Sequence, residues 1–180
     1  PHVWHIREYQ LLDFNHVPIY SFSYLRNKMK RAGNYNIAVT KGLYDFYHLN
    51  SCNSQVIYDG ILEGGDRKEK PLSKGSYFLF VGRVQEEKGA LLLLNAFVEY
   101  VKKGGPLKLF YAGSLWPECQ VKLDTRIQET SISDRVVFLG AMSSERINVL
   151  MTEAVATVIP SQFEAFGLVM AEAMFNQCLV

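Results

Sequence analysis

Short apolar runs alternate with amphipathic stretches along the chain from Tyr77 onward. Four of the runs are rich in β-branched or aromatic residues, as strands are, and each is followed by a small residue or a proline. The four predicted strands are Tyr77–Val81, Leu107–Tyr111, Arg135–Leu139 and Ala156–Ile159. Apolar positions at helical spacing predict four helices, at Gly89–Lys103, Glu118–Glu129, Ser144–Ala154 and from Gly167 to about Asn176.

Strands that are apolar along their whole length and alternate with helices predict a parallel sheet with both faces covered. Right-handed crossovers would make it a doubly wound, Rossmann-like α/β fold. Ligands of such sheets bind beyond the carboxyl ends of the strands. Gly82, Gly113, Gly140 and Ser161–Gly167 all follow strand ends. This edge of the sheet is therefore the predicted site.

The first third of the chain has shorter elements. Its predicted elements are the strands Val3–Ile6, Asn36–Thr40 and Gln55–Tyr58 and the helix Lys41–His48. Residues 62–76 are polar and carry paired glycines and a charge run, which predicts a linker. The predicted domains are therefore residues 1–61 and 77–180. We expect a piece of a longer protein, because the chain starts at Pro1 and stops where a further strand begins.

Charge and cysteine content narrow the function classes. The formal net charge of the 180 residues is +1, which does not favour nucleic acid as a partner. The three cysteines lie far apart and show no metal-ligand spacing, so we expect free thiols in the cytoplasm. No apolar run is long enough to cross a bilayer.

A cationic loop follows the first strand of the larger domain. Arg83 and Lys88 stand five residues apart, where the chain turns at Gly82 and a helix begins after Gly89. A guanidinium binds phosphate in a bidentate way and an ammonium adds a point charge, so both can hold one anion. The alternative is a solvated charged loop in which Glu86 and Glu87 pair locally.

Two glutamates lie in the apolar segment after the last predicted strand. A helix starting at Gly167 presents unpaired N–H groups to an anion, and no acidic cluster for a divalent metal is present. Glu164 and Glu172 are then expected to accept hydrogen bonds from sugar and ribose hydroxyls. The alternatives are a capping box between Ser161 and Glu164, and a surface helical position for Glu172.

Three ordered motifs resemble those of a known family. They are F-V-G-R-V-x-x-x-K-G at Phe80–Gly89, V-V-F-L-G at Val136–Gly140 and P-S-x-x-E-x-F-G-L-V-x-x-E-A-M at Pro160–Met174. They are similar to the donor-binding half of the retaining GT-B glycosyltransferases, called family 4 or group 1. The resemblance is strong from about Tyr77 to Val180, and three motifs in order are more specific than one.

The resemblance implies a role for each matching residue. Arg83 and Lys88 would hold the donor diphosphate, Glu164 would contact the donor sugar, and Glu172 would bind the ribose. Backbone groups at Phe166, Gly167 and Leu168 would touch sugar and phosphates, and the loop at Gly140 would lie beside the base. Gly113 corresponds to the first glycine of a G-x-G turn, but Leu115 replaces the second glycine.

Residues 1–61 resemble, more weakly, the end of the family's acceptor domain. His5 falls where many members have a histidine that faces the donor sugar, and the alternative is a structural strand-end histidine. Residues Arg26–Arg31 hold four basic side chains, which form either a solvated face or a peripheral contact with anionic lipid on the inner face of the membrane.

The resemblance implies a retaining glycosyltransferase that needs no metal cofactor. Its donor would be a UDP-, GDP- or ADP-sugar, and its acceptor a carbohydrate or a lipid-linked molecule, in cell-surface polysaccharide or glycolipid synthesis. The piece itself is expected to be inactive. Two rival hypotheses stay open, a non-catalytic nucleotide-sugar-binding module and a nucleotide-sugar epimerase of the same shape.

Overall fold

The computed structural model describes residues 2–9, 21–51, 53–61 and 75–180. Contacts group the chain into two units, Pro1–Gly60 with Phe163–Gly167, and Ile61–Gln162 with Leu168–Val180. Residues 62–74 of the predicted linker lie outside the described residues. The predicted domain boundaries therefore stay predictions.

The first unit contains a three-stranded parallel sheet in the order β1-β2-β3. Its strands are β1 (Val3–Ile6), β2 (Tyr35–Ala38) and β3 (Ser54–Val56), and its helices are α1 (Phe22–Met29) and α2 (Lys41–Phe46). The elements predicted at Val3–Ile6, Asn36–Thr40, Lys41–His48 and Gln55–Tyr58 are thus confirmed, with ends that differ by up to two residues.

Helix α2 begins where a threonine can cap it. The Thr40 side chain accepts a hydrogen bond from the Leu43 amide at 3.3 Å, which satisfies one of the free N–H groups of the first turn. Leu43 then lies fully buried beside Ala38 and Tyr47 in the core of this unit. The basic run Arg26–Arg31 lies on α1 and the two residues after it.

The second unit contains a four-stranded parallel sheet in the order β6-β5-β4-β7. Its strands are β4 (Tyr77–Val81), β5 (Lys108–Ala112), β6 (Val136–Gly140) and β7 (Ala156–Thr157). The chain starts in the middle, runs outward through β5 and β6, and returns to the other side of β4 with β7. The direction of strand addition therefore reverses between β4 and β7, which is the topological switch point of a Rossmann-like sheet.

Four helices cover both faces of this sheet, as predicted for a doubly wound fold. They are α3 (Ala90–Lys102), α4 (Pro117–Thr130), α5 (Ser144–Glu153) and α6 (Leu168–Phe175). Successive residues of β4 alternate between two cores: Phe80 packs with α3 and α4, whereas Leu79 packs with Met151 of α5 and Ala173 of α6. The predominantly apolar character of these strands follows from this burial on both faces.

The end of the chain also behaves as predicted. Leu179 forms a parallel bridge with Ala156 of β7, and its carbonyl accepts a hydrogen bond from the Thr157 amide at 2.8 Å. Leu179 therefore lies beside β7, on the side away from β4.

Candidate functional site

Glycines mark the carboxyl ends of three neighbouring strands of the second unit. Gly82, Gly113 and Gly140 have φ angles of +137°, +146° and +72°. The Gly82 amide donates to the Ala112 carbonyl at 2.9 Å, and the Gly113 amide donates to the Gly140 carbonyl at 2.8 Å. A Cβ atom on Gly113 would overlap the Gly82 carbonyl. Glycine is therefore required where these strand ends approach each other.

The cationic loop after β4 meets the loop after β7. Arg83 is exposed, and Lys88 is half-buried at the end of a 3-10 turn at Glu86–Lys88. Gly89 follows with φ +75°, and a Cβ atom on it would overlap the carbonyl group of Pro160. The backbone beside Lys88 is therefore in close contact with the segment that follows β7, at the switch point of the sheet.

The turn that carries Lys88 forms an ion pair with α4, the helix predicted at Glu118–Glu129. The Glu86 carboxylate lies 2.6 Å from the Lys122 ammonium of α4. Glu86 therefore has an ion-pair partner outside its own loop, 36 residues away along the chain. Lys122 is exposed on α4, and the periodicity that predicted this helix contains no information about which loop its exposed face adjoins.

In the Pro160–Met174 motif, a helix begins within one residue of the start predicted at Gly167. Gly167 is buried with φ +79°, and α6 begins at the next residue, Leu168. Ser161 lies well before this helix and residues 161–167 are not helical, so the predicted capping box with Glu164 is not formed at α6. Glu164 is instead an exposed residue of the preceding loop.

Glu172 is not a fully solvated surface glutamate. It is the fifth residue of α6 and is partly buried, and this burial raises the pKa of its carboxyl. Desolvation disfavours the charged form of the carboxyl. A charged Glu172 at neutral pH therefore lowers the free energy of unfolding. Groups perturbed in this way are enriched at functional sites.

The remaining candidate residues belong to the first unit. His5 is exposed on β1, and Phe166 packs against the core of that unit with its ring centroid 6.4 Å from that of Tyr58. Glu164 and Gly167 are grouped with the same unit. The roles predicted for all site residues, and the lipid contact of the basic run on α1, stay predictions.

Metal and membrane features can be described for the part of the chain that the structure covers. There, no group of three or more His, Cys, Asp or Glu side chains could hold a metal ion. Within the same residues, no helix has the length and apolar character that a bilayer crossing needs. Cys119 and Cys178 are buried free thiols, and Cys52 lies outside the described residues.

The strand order and the glycine-lined carboxyl edge define a Rossmann-like α/β unit. Residues 65–180 match the family described as glycosyl transferases group 1. Because this match covers more than half of the chain, the chain belongs to that family.

Curated relatives and solved structures agree with this assignment. A D-inositol 3-phosphate glycosyltransferase of Mycolicibacterium smegmatis is 37% identical over 99 residues, 52% of this chain and 21% of that protein. An alpha-D-kanosaminyltransferase of Streptomyces kanamyceticus is 31% identical over 96 residues, 53% of this chain and 24% of that protein. The matched part of the chain thus spans between a fifth and a quarter of the length of these relatives.

Two solved structures illustrate the similarity of fold. Anabaena Alr3699/HepE in complex with UDP and glucose superposes with a TM-score of 0.80 at 20% identity, over 99% of this chain and 51% of that chain. Sucrose-phosphate synthase from Thermosynechococcus elongatus has a TM-score of 0.73 at 19% identity, over 98% of this chain and 48% of that one. The predicted α/β fold of GT-B type is confirmed.

Proposed function

We propose that the protein is a retaining glycosyltransferase of family 4 that moves a sugar from a nucleotide-diphospho-sugar to an acceptor hydroxyl. The contact of Gly89, next to Lys88, with Pro160 carries the proposal. It brings a cationic loop to the switch point of the sheet, where Rossmann-like units bind their ligands, in a chain of the group 1 family.

The proposed transfer reaction gives a role to the two cationic side chains and to the first turn of α6. The bond between the anomeric carbon and the diphosphate oxygen breaks, and its electron pair stays on the diphosphate. The acceptor oxygen forms the new bond on the same face of the sugar, and its proton passes to the departing diphosphate oxygen. Arg83 and Lys88, with the free N–H groups that begin α6 at Leu168, would stabilise the departing charge without a metal.

The carboxylates and the histidine would position the sugar and the ribose. Glu164 and His5 are proposed to contact the donor sugar, and Glu172 the ribose hydroxyls. Backbone groups at Phe166 and Gly167 would contact the sugar and phosphates.

The donor is proposed to be a UDP-sugar first, with GDP- and ADP-sugars next. Alr3699/HepE, which has a similar fold, was crystallised with UDP. The acceptor is proposed to be a carbohydrate or a lipid-linked molecule in cell-surface polysaccharide or glycolipid synthesis, met in the cytoplasm at the inner face of the membrane.

A donor screen on the full-length protein tests the proposal. We expect nucleoside diphosphate release from one class of donor only when an acceptor is present, and NMR of the product should show the anomeric configuration of the donor. Isomerised donor formed without acceptor would instead indicate an epimerase. Tight nucleotide binding without any release would indicate a binding module.

Replacing Glu172 by glutamine tests whether this residue binds the ribose or has only a structural role. In the wild type, the raised pKa means that the native state binds the proton more tightly than the unfolded state. The free energy of unfolding therefore falls as the pH rises through that pKa. Glu172→Gln should remove this fall and raise the free energy of unfolding at pH 7. It should weaken UDP binding about tenfold or more, because a charged hydrogen-bond acceptor is lost.

Glu153→Gln is the matched control for this experiment, since Glu153 is an exposed helical glutamate at the end of α5. We expect it to leave UDP affinity unchanged in calorimetric titrations. If Glu172→Gln lowered the free energy of unfolding and left UDP affinity intact, Glu172 would be structural.

A further inference from the structure

Trp116 is the one aromatic side chain in the loops that follow β4, β5 and β6. These loops, Gly82–Gln85, Gly113–Trp116 and Ala141–Ser143, are all described by the structure. Their other large apolar side chains are engaged: Val84 is 1% exposed, and Leu115 and Met142 pack against the cores. Trp116 is 49% exposed, so a large apolar face remains open to solvent at the carboxyl edge of the sheet.

The backbone of Trp116 is fixed against the cationic loop. The Val84 amide donates to the Ser114 carbonyl at 2.9 Å, and the Trp116 amide donates to the Val84 carbonyl at 3.2 Å. Val84 and Leu115 form a parallel bridge. Pro117, at the first position of α4, holds Trp116 in an extended conformation with φ −83° and ψ 133°. The Trp116 side chain therefore extends from a backbone position beside Val84, the residue that follows Arg83.

The proposed position of the diphosphate sets the direction of the nucleoside. Neighbouring strands lie about 4.8 Å apart, so a nucleoside attached to a diphosphate at the β4–β7 switch point spans one or two strands. With the sugar assigned to the loop after β7, the base extends to the opposite side, toward β5 and the β6 loop at Gly140 that is predicted to lie beside it. The loop that carries Trp116 follows β5.

We propose that Trp116 stacks on the nucleobase of the donor and thereby selects nucleoside diphosphates over simpler phosphates. Stacking on an aromatic side chain is favourable and tolerates different bases, since every base has a π face. A residue whose backbone is already ordered loses little conformational entropy on binding. This inference rests on the proposed function, because it needs a nucleotide at the switch point.

Calorimetric titrations of the full chain with UDP, GDP and inorganic pyrophosphate test the inference. Trp116→Ala should weaken binding of both nucleotides about tenfold and leave pyrophosphate binding unchanged. Trp116→Phe should retain most of the affinity, because the smaller ring still stacks. A merely structural role would lower affinity for pyrophosphate to the same extent.

Tryptophan fluorescence gives an independent measurement. UDP should change the emission of the wild type and of a Trp4→Phe variant, whereas the Trp116→Phe variant should show no change. UDP affinity within about twofold of the wild type in Trp116→Ala would overturn the inference and leave the proposed function standing. No binding of UDP or pyrophosphate to the wild type would overturn both.

Discussion

Lys88→Ala and Arg83→Ala are each expected to lower the turnover of the full-length protein by at least about hundredfold. Negative charge accumulates on the diphosphate as the bond to the sugar breaks, and a preorganised cation stabilises it most in the transition state. Removal of one such group typically costs about 10²–10³ in kcat. Steady-state release of nucleoside diphosphate measures the effect. Since Arg83 is exposed and Lys88 half-buried outside the cores, both variants should remain folded.

Lys103→Ala is the control for loss of a positive charge. Lys103 is an exposed residue at the opposite end of α3, far along the helix from Lys88. The Lys103→Ala substitution should therefore leave turnover unchanged. Circular dichroism and thermal unfolding confirm that each variant is folded. Turnover like that of the wild type in either Arg83→Ala or Lys88→Ala would rule out the assignment of these residues to the diphosphate.

Gly89→Ala is expected to lower both stability and nucleotide affinity. A non-glycine residue in the left-handed region costs about 1–2 kcal/mol, and the overlap of its Cβ with Pro160 adds about 1–3 kcal/mol. Relief of the overlap requires the loops after β4 and β7 to separate. Lys88 would then move away from the switch point, and UDP affinity should fall.

Gly104→Ala separates the cost of the left-handed φ angle from the cost of the overlap with Pro160. Gly104 has a similar φ of +82° beyond the end of α3, but a Cβ atom there meets nothing within 4 Å. It should lose only about 1–2 kcal/mol in denaturant unfolding and keep its affinity for UDP. If the two variants showed equal losses of stability and equal affinity for UDP, the contact with Pro160 would have no functional importance.

The sequence predicted the elements of the second unit because their patterns are local. The apolar face of α3 and the Gly104 stop predicted its ends to within a residue, and four apolar runs predicted four strands. The strand order could not be predicted in this way, since apolar runs of equal character do not say which strand lies beside which. The switch point, which depends on that order, became visible only in the structure.

The contacts of Glu86 and Glu172, and the absence of the alternative capping box at Ser161, could not be predicted from the local sequence. The ion pair of Glu86 with Lys122 joins residues 36 apart, and no local pattern predicts it. The Ser161–Glu164 spacing fits a capping box, yet the helix begins later, at Leu168, after a glycine at positive φ. The partial burial of Glu172 depends on tertiary packing, and its position on a helix could not reveal that.

A calorimetric titration of UDP into the wild type and the Arg83→Ala/Lys88→Ala double variant tests the central claim most directly. The account predicts that the wild type binds UDP, that inorganic pyrophosphate competes with it, and that the folded double variant binds neither. Undiminished binding of UDP to the double variant would contradict the claim that this loop holds the diphosphate.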